Sequence, residues 1–379
     1  MERDWANLEA LALGLILDKL ERVDQIWFGA VCKNWLSVAK LNHQNQELRN
    51  NVLPMLMIPK TNLSLYGISS NITYEFQFPI PSYDNCCGCS HGWITTIHTK
   101  YHAYSDMDIV ITMFNPFKTV SPITLPPLRT CIDYYDALLP KVTLSADPIT
   151  SPNDYVVAVI YTKWSRLSIL KSGQTSWTCI GYYDFTDVIV LGDFLYVLTQ
   201  KKSLLSFNLS YLDDPDRAKT ISPSPAPGIR FHEDLKCYLV KSLEGDLWLV
   251  RKFLSDSDHN GLIKFEVYRF EFEFQRRKVQ RRKVKQMVKL ESLGDNVLFV
   301  GECDSISASA SHFSGSLKQD SIYYINKVKP YTPFHQYCEP FNVVIYNVKD
   351  ESICHQNQNI LLSDHAYSLL GFDASSMRM

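Results

Sequence analysis

Gly192-Asp193-Phe194-Leu195-Tyr196-Val197, Gly245-Asp246-Leu247-Trp248-Leu249-Val250 and Gly294-Asp295-Asn296-Val297-Leu298-Phe299-Val300 repeat one pattern, a glycine–aspartate turn followed by apolar residues. Glycine accepts the positive φ of a tight turn, and aspartate bonds back to its own backbone, so the pair punctuates the chain before a strand. The spacings are 53 and 49 residues, and Gly92-Trp93-Ile94 stands 100 residues before Gly192, two periods earlier. A period of about 50 residues is that of a four-stranded blade. One blade cannot cover both of its faces, so blades stack around a ring.

The surrounding sequence fits this reading. Short apolar or alternating runs bounded by Gly, Pro, Asp and Asn predict strands at 93–97, 109–114, 142–144, 155–161, 167–170, 188–191, 194–198 and 204–209. More follow at 237–240, 247–250, 265–274, 297–300, 322–325 and 341–348, with almost no helical periodicity among them. Many short strands of this kind suit a sandwich, a barrel or a propeller. The repeat selects a propeller of about six or seven blades over residues 59–379.

The first 45 residues differ. Leu8, Leu11, Leu15 and Ile16 recur at helical spacing, with Leu13, Leu17 and Leu20 widening the apolar face. Asp24 suits the start of a second helix carrying Ile26, Trp27, Ala30 and Val31 toward Cys32 and Trp35. Two or three short helices cannot bury a sufficient core alone, so this unit leans on a partner or on the next domain. The polar stretch after Leu41, with Pro54 and Pro59 beyond it, reads as a linker over residues 46–58.

Composition excludes several classes. An apolar content of 46% describes a globular chain with a sizeable core, and a net charge of −2 gives no overall pull toward nucleic acid or membrane. Ten scattered cysteines without a basic-then-apolar leader predict reduced thiols in the cytoplasm or nucleus. No apolar run is long enough to span a bilayer.

Three stretches invite chemistry. Gly88-Cys89-Ser90-His91-Gly92 matches the nucleophile elbow of hydrolases, yet that motif needs a helix straight after the serine, and a β-branched run, Trp93 to Ile97, follows instead. Cys86, Cys87 and Cys89, followed by His91, His98 and His102, lack the paired spacing of a zinc site and read as reduced structural thiols. Gln275 to Lys289, with RRKV at 276–279 and again at 281–284, reads as a solvated hairpin within one blade. Arg276, Arg277, Lys278, Arg281, Arg282 and Lys283 also suit a nuclear-localisation patch or a contact with an acidic partner. Nucleic acid is disfavoured, because no aromatic residues interleave with the charges. The sequence shows no phosphate loop, paired carboxylates or HExxH motif, so neither catalysis, cofactor nor metal is expected.

Two resemblances add to this reading. Trp5, Leu8, Leu11, Ile16, Leu20, Asp24 and Phe28, followed by Ala30-Val31-Cys32-Lys33 and Trp35, resemble an F-box. That motif docks a subunit onto a Skp-type adaptor in a cullin-RING ubiquitin ligase. Glu9 stands where the family usually has proline. The remainder resembles the KIB-like, kelch-related β-propeller that follows the F-box in a large group of plant proteins. The matching pieces include Gly88 to Trp93, Asn115-Pro116-Phe117, Leu144 to Pro148, Trp177-Thr178, Phe185 to Val188, Ser292 to Asp295 and Asp320 to Tyr324.

Together they imply a mainly β protein: a small α-helical F-box (1–45), a linker (46–58) and a propeller (59–379). The implied function is that of a non-catalytic substrate-recognition subunit. Leu8, Leu11, Ile16, Leu20, Val31, Cys32 and Trp35 would face the adaptor, and propeller loops would face an unidentified target protein. Two alternatives remain. One is an F-box-derived interaction protein acting outside a ligase, and the other is a small-ligand-binding or hydrolytic propeller.

Overall fold

The computed structural model describes residues 4–20, 22–29, 31–46, 52–58, 62–68, 72–79, 85–101, 106–118, 120–131, 140–161, 166–181, 185–212, 219–222, 234–254, 263–276, 280–311, 313, 316–326, 342–356 and 368–373. A 3-10 turn at Trp5–Asn7 leads to α1 (Ala10–Leu17), α2 (Arg22–Gly29) and α3 (Lys33–Gln46). Among the described residues after α3, the regular elements are strands apart from a 3-10 turn at Leu209–Tyr211.

The strands form six sheets among the described residues. Blade 1 contains β1 (Val52–Ile58), β2 (Asn62–Gly67) and β3 (Ile72–Pro79). Blade 2 contains β4 (Asn85–Ser90), β5 (Trp93–Tyr101) and β6 (Asp106–Phe114), with β7 (Ile123–Thr124) and β8 (Leu128–Cys131) both on β6. Blade 3 runs β9 (Lys141–Leu144), β10 (Val156–Tyr161), β11 (Arg166–Lys171), β12 (Thr178–Gly181). Blade 4 runs β13 (Phe185–Leu191), β14 (Phe194–Thr199), β15 (Leu204–Asn208), β16 (Lys219–Ser222). Blade 5 runs β17 (Asp234–Lys241), β18 (Leu247–Leu254), β19 (Ile263–Arg276), β20 (Gln280–Leu290). Blade 6 contains β21 (Asn296–Val300), β22 (Ser305–Ser309), β23 (Ser321–Asn326), β24 (Asn342–Asn347) and β25 (Ile353–Gln356). The last strand, β26 (Ser368–Asp373), pairs antiparallel with β1 and completes blade 1.

The inner strands β26, β4, β9, β13, β17 and β22 pack each on the next and close a ring, a β-propeller. Its apolar core is divided between neighbouring blades. Trp93, Ile111 and Met113 of blade 2 meet Val142, Val157 and Val159 of blade 3, and Tyr238, Val250 and Val267 of blade 5 meet Leu298, Ile322 and Val344 of blade 6. Middle strands covered on both faces, such as β14 and β21, are buried at every residue. Their sequences therefore read as unbroken apolar runs rather than alternation.

The glycine–aspartate repeat now has a structural meaning. Gly192, Gly245 and Gly294 have φ of 58°, 88° and 64°, and each turn leads into the second strand from the channel, β14, β18 or β21. Gly92 does the same for β5. Blade 6 departs from the others in chain order. Its inner strand β22 comes after β21, and β23 then runs parallel to β21. The tight 301–304 turn joining β21 to β22 consequently lies at the channel end where the other inner strands begin.

The stretch read as a linker, 46–58, needs correction. It contains β1, which pairs with both β2 and β26. Pro54 was the misleading signal. The β1–β2 ladder starts only at Met55↔Gly67, so Pro54 stands just outside it, where a residue without an N–H is tolerated.

Candidate functional site: the helical face and the channel mouth

The helices enclose a small core of Leu13, Leu17, Phe28, Val38 and Ala39, on which Leu8, Ile16, Leu20 and Trp35 pack. Gln25 donates to the carbonyls of Leu17 and Leu20 at 3.0 and 3.1 Å, tying α2 to the end of α1 and the turn that follows it. The Trp35 ring lies 4.5 Å from that of Phe28, and its indole N–H donates to the Trp5 carbonyl at 2.9 Å. Asn34 donates to the carbonyls of Ala6 and Leu8 at 3.1 and 3.0 Å, and the Cys32 thiol reaches Ala6 O at 3.8 Å. The start of α3 thus clamps the N-terminal turn.

This arrangement divides the expected adaptor-facing residues. Leu8, Ile16, Leu20, Cys32 and Trp35 are half-buried within or against the helical unit. Leu11 is 77% exposed and Val31 57%, so these two remain available. Leu15, absent from the expected set, is 63% exposed one turn after Leu11. Helix α1 is therefore apolar on two faces: Leu13 and Leu17 fill the core while Leu11 and Leu15 meet solvent. A helix apolar all round is ordinarily covered all round. The side chains of Ile26 and Trp27, and all of Ala30, lie outside the described residues.

At the other candidate site, the channel mouth, the organising residue is Asp187 on β13, 1% exposed. It accepts from Lys141 Nζ on β9, from Val188 N at 2.8 Å and from Leu239 N on β17 at 2.6 Å, tying the inner strands of blades 3, 4 and 5. Burial works against the Lys141 ammonium, yet the Asp187 carboxylate more than offsets it and holds the lysine above its ordinary range. From the 301–304 turn, Glu302 pairs with Lys236 of blade 5, Cys303 reaches blade 2, and the Asp304 charge acts on Lys141 of blade 3. The turn spans the mouth. Nearby, the Lys252 ammonium lies 4.7 Å from the Tyr324 ring centroid, and burial lowers its pKa against the pull of Glu302.

The elbow-like motif is a hairpin. Ser90 ends β4, His91 and Gly92 take φ of 52° and 77°, and β5 follows, a strand where the nucleophile elbow needs a helix. The Ser90 hydroxyl accepts from Leu144 N at 3.3 Å and stitches blade 2 to blade 3. Cys86, Cys87 and Cys89 are buried on β4 and not in disulfides, while His98 is exposed on β5 and His102 lies outside the described residues. Among the described residues no group of three or more His, Cys, Asp or Glu could hold a metal.

The pieces of sequence shared with the propeller group prove to be staples. Trp93 Nε1 donates to Asp147 at 2.8 Å, and Lys118 pairs with the same carboxylate at 2.9 Å. Asn115 accepts from Phe117 N at 3.0 Å, and Trp177 Nε1 donates to Pro126 O at 2.8 Å. Asp320 accepts from Ser292 Oγ and Leu293 N, both at 2.7 Å.

The basic run lies in a hairpin of blade 5, and its arms are themselves strands of that blade. It forms the end of β19 and nearly all of β20, paired from Val267↔Leu290 to Arg276↔Gln280. Phe270 is buried and Phe272, Val284 and Met287 pack with it against Tyr196 and its neighbours in blade 4, so one face of the arm is anchored. Lys283 is half-buried and Lys285 exposed. The side chains of Arg276, Arg281 and Arg282, and the whole of Arg277 and Lys278, lie outside the described residues.

Among the described residues, no helix is long and apolar enough to cross a membrane. No curated protein matches the chain. Solved structures similar to it include a protein assigned as a 6-phosphogluconolactonase from Bacteroides uniformis, 10% identical over 80% of this chain and 82% of that one, TM-score 0.39. Another is AztD of Citrobacter koseri, 9% identical over 84% of this chain and 98% of that one, TM-score 0.30. The model of one family, KIB1-4 β-propeller, matches residues 65–347, from β2 of blade 1 to β24 of blade 6. The chain belongs to the KIB1-4 β-propeller family.

Proposed function

We propose that the chain is the non-catalytic substrate-recognition subunit of a Skp–cullin–F-box ubiquitin ligase, working in the cytoplasm or nucleus. The helical unit docks on a Skp-type adaptor, and the propeller, a fold suited to protein interaction, holds the target. The mechanism is proximity: with both partners bound, transfer of ubiquitin to a target lysine becomes effectively intramolecular, and other subunits perform the chemistry.

The observation that carries this reading is the outer face of α1, where Leu11 and Leu15 are 77% and 63% exposed. Burying a leucine side chain is worth about 1.5–3 kcal/mol, so this face alone supplies much of a micromolar interface. The full chain mixed with a Skp-type adaptor should elute as a complex, and Leu11→Asp with Leu15→Asp should abolish it without changing the propeller's melting. A folded chain that never retains the adaptor would refute the reading.

A second reading, an interaction protein outside any ligase, rests on Glu9. This residue caps α1 without a side-chain hydrogen bond at the position where the resembled motif carries proline. Recovery of target proteins by a chain that ignores the adaptor would favour it.

A further inference from the structure

The channel mouth holds a contact that the proposed function does not use. Cys303, in the turn of blade 6, donates its thiol to the carbonyl of Cys86 on β4 at 2.9 Å, across 217 residues of sequence. The Cys86 thiol in turn faces the Gly88 carbonyl at 3.8 Å, so both thiols lie at this edge of β4. Each residue is only 2% exposed, and neither is in a disulfide. Blades 2 and 6, which carry them, flank blade 1, the blade assembled from strands of both ends of the described chain.

We propose that Cys86 and Cys303 are a reversible disulfide site that locks the mouth turn onto blade 2 and bridges the seam of the ring. A disulfide needs two residues that already lie side by side, and the Cys303 sulfur, 2.9 Å from the Cys86 carbonyl oxygen, is already seated against its partner residue. A low-molecular-weight disulfide such as oxidised glutathione is the oxidant. One thiolate of the pair attacks it, forming a mixed disulfide and releasing one glutathione thiolate. The second thiolate then attacks the protein sulfur of that mixed disulfide and releases the other glutathione. Two protein thiols are oxidised, one glutathione disulfide is reduced, and two protons leave.

The surroundings explain why the pair persists as thiols. Contact with Cys303, then burial, holds the Cys86 thiol well above its ordinary pKa, so little thiolate is present near neutrality. Exchange therefore requires the turn to lift, and the bond, once closed, is shielded from reductant. Cys87, next in sequence, is committed elsewhere: its thiol donates to Thr95 O within blade 2 at 3.4 Å.

The test uses the full chain, purified under reductant and then incubated with oxidised glutathione. Free thiols are alkylated in denaturant, and the peptides are weighed. The expected product joins the Cys86 and Cys303 peptides, two hydrogen atoms lighter than their sum, is reversed by dithiothreitol, and is absent from Cys303→Ser. Phenylarsine oxide, which bridges neighbouring thiols, should bind the unaltered chain and protect both cysteines, a result independent of how well Cys303→Ser folds. Full alkylation of both cysteines after either treatment would overturn the proposal. So would Cys86 joined to another cysteine, or glutathione carried separately on Cys86 and Cys303.

Discussion

Asp187→Ala is the sharpest probe of the ring. The substitution leaves Lys141, whose side chain is 12% exposed, without its carboxylate, and leaves Leu239 N without an acceptor. Removing one partner of a buried ion pair costs about 3–5 kcal/mol, and an orphaned buried N–H about 1–3 kcal/mol. The two losses share one cavity and do not add fully, so about 4–5 kcal/mol is expected, a large part of a typical total stability of about 5–15 kcal/mol. Urea unfolding monitored by tryptophan fluorescence measures it. Adding Lys141→Met removes the stranded charge and should restore about half the loss. The pH dependence carries a sign. Lys141 is raised in the folded chain, so its contribution is complete below the unfolded value near 10.5 and fades as pH rises through the higher folded value. Asp187→Asn should flatten that alkaline decline. A cost of Asp187→Ala below about 1 kcal/mol, or a further loss on adding Lys141→Met, would refute the account of three blades tied at one carboxylate.

Other substitutions test other parts of the chain. Glu9 has φ −61° and Leu8 before it φ −58°, ψ 142°, both compatible with an X–Pro step, so Glu9→Pro should stabilise the helical unit by about 0.4–1 kcal/mol in thermal melts. Gly88→Ala would place a Cβ 2.1 Å from the Val142 carbonyl oxygen, so a loss on the order of 3 kcal/mol and poor soluble yield are expected. Replacing Arg276, Arg277, Arg281 and Arg282 with alanine should move a fluorescent fusion toward the cytoplasm if the arm directs nuclear import, and an unchanged distribution removes that role.

The sequence made the strands legible wherever both faces of a strand are covered. β14, β18 and β21 each carry an apolar run (Phe194 to Leu198, Leu247 to Val250, Val297 to Val300) straight after a glycine–aspartate turn, so local chemistry announced them. β1 was hidden because its one proline, Pro54, suits a linker as well as the position just outside the β1–β2 ladder. β20 was hidden because its outward residues are charged, while its anchoring residues, Val284 and Met287, are sparse. The chain order of blade 6 has no local signature, since apolar pattern specifies that a strand forms and not which neighbour it takes. The same limit held at the mouth. Lys141 and Asp187 are 46 residues apart and unremarkable until two inner strands bring them together. On α1, periodicity marked every leucine as apolar but could not separate Leu13 and Leu17, which face inward, from Leu11 and Leu15, which do not.

The pairing of β1 with β26 has a consequence for biogenesis. Blades 3, 4 and 5 are each built from consecutive strands and can form as they leave the ribosome. Blade 1 cannot: β1 emerges early and waits through the synthesis of roughly 300 further residues, a closure whose chain entropy costs about 5 kcal/mol by the logarithmic rule. During that interval the edge of β1 and the inner wall of the channel are open, the exposure that invites wrong pairing and chaperone capture. A nascent chain halted just before Ser368 would therefore carry a nearly complete propeller without its final joint, and slow translation over the last segment would lengthen the most vulnerable stage of its life.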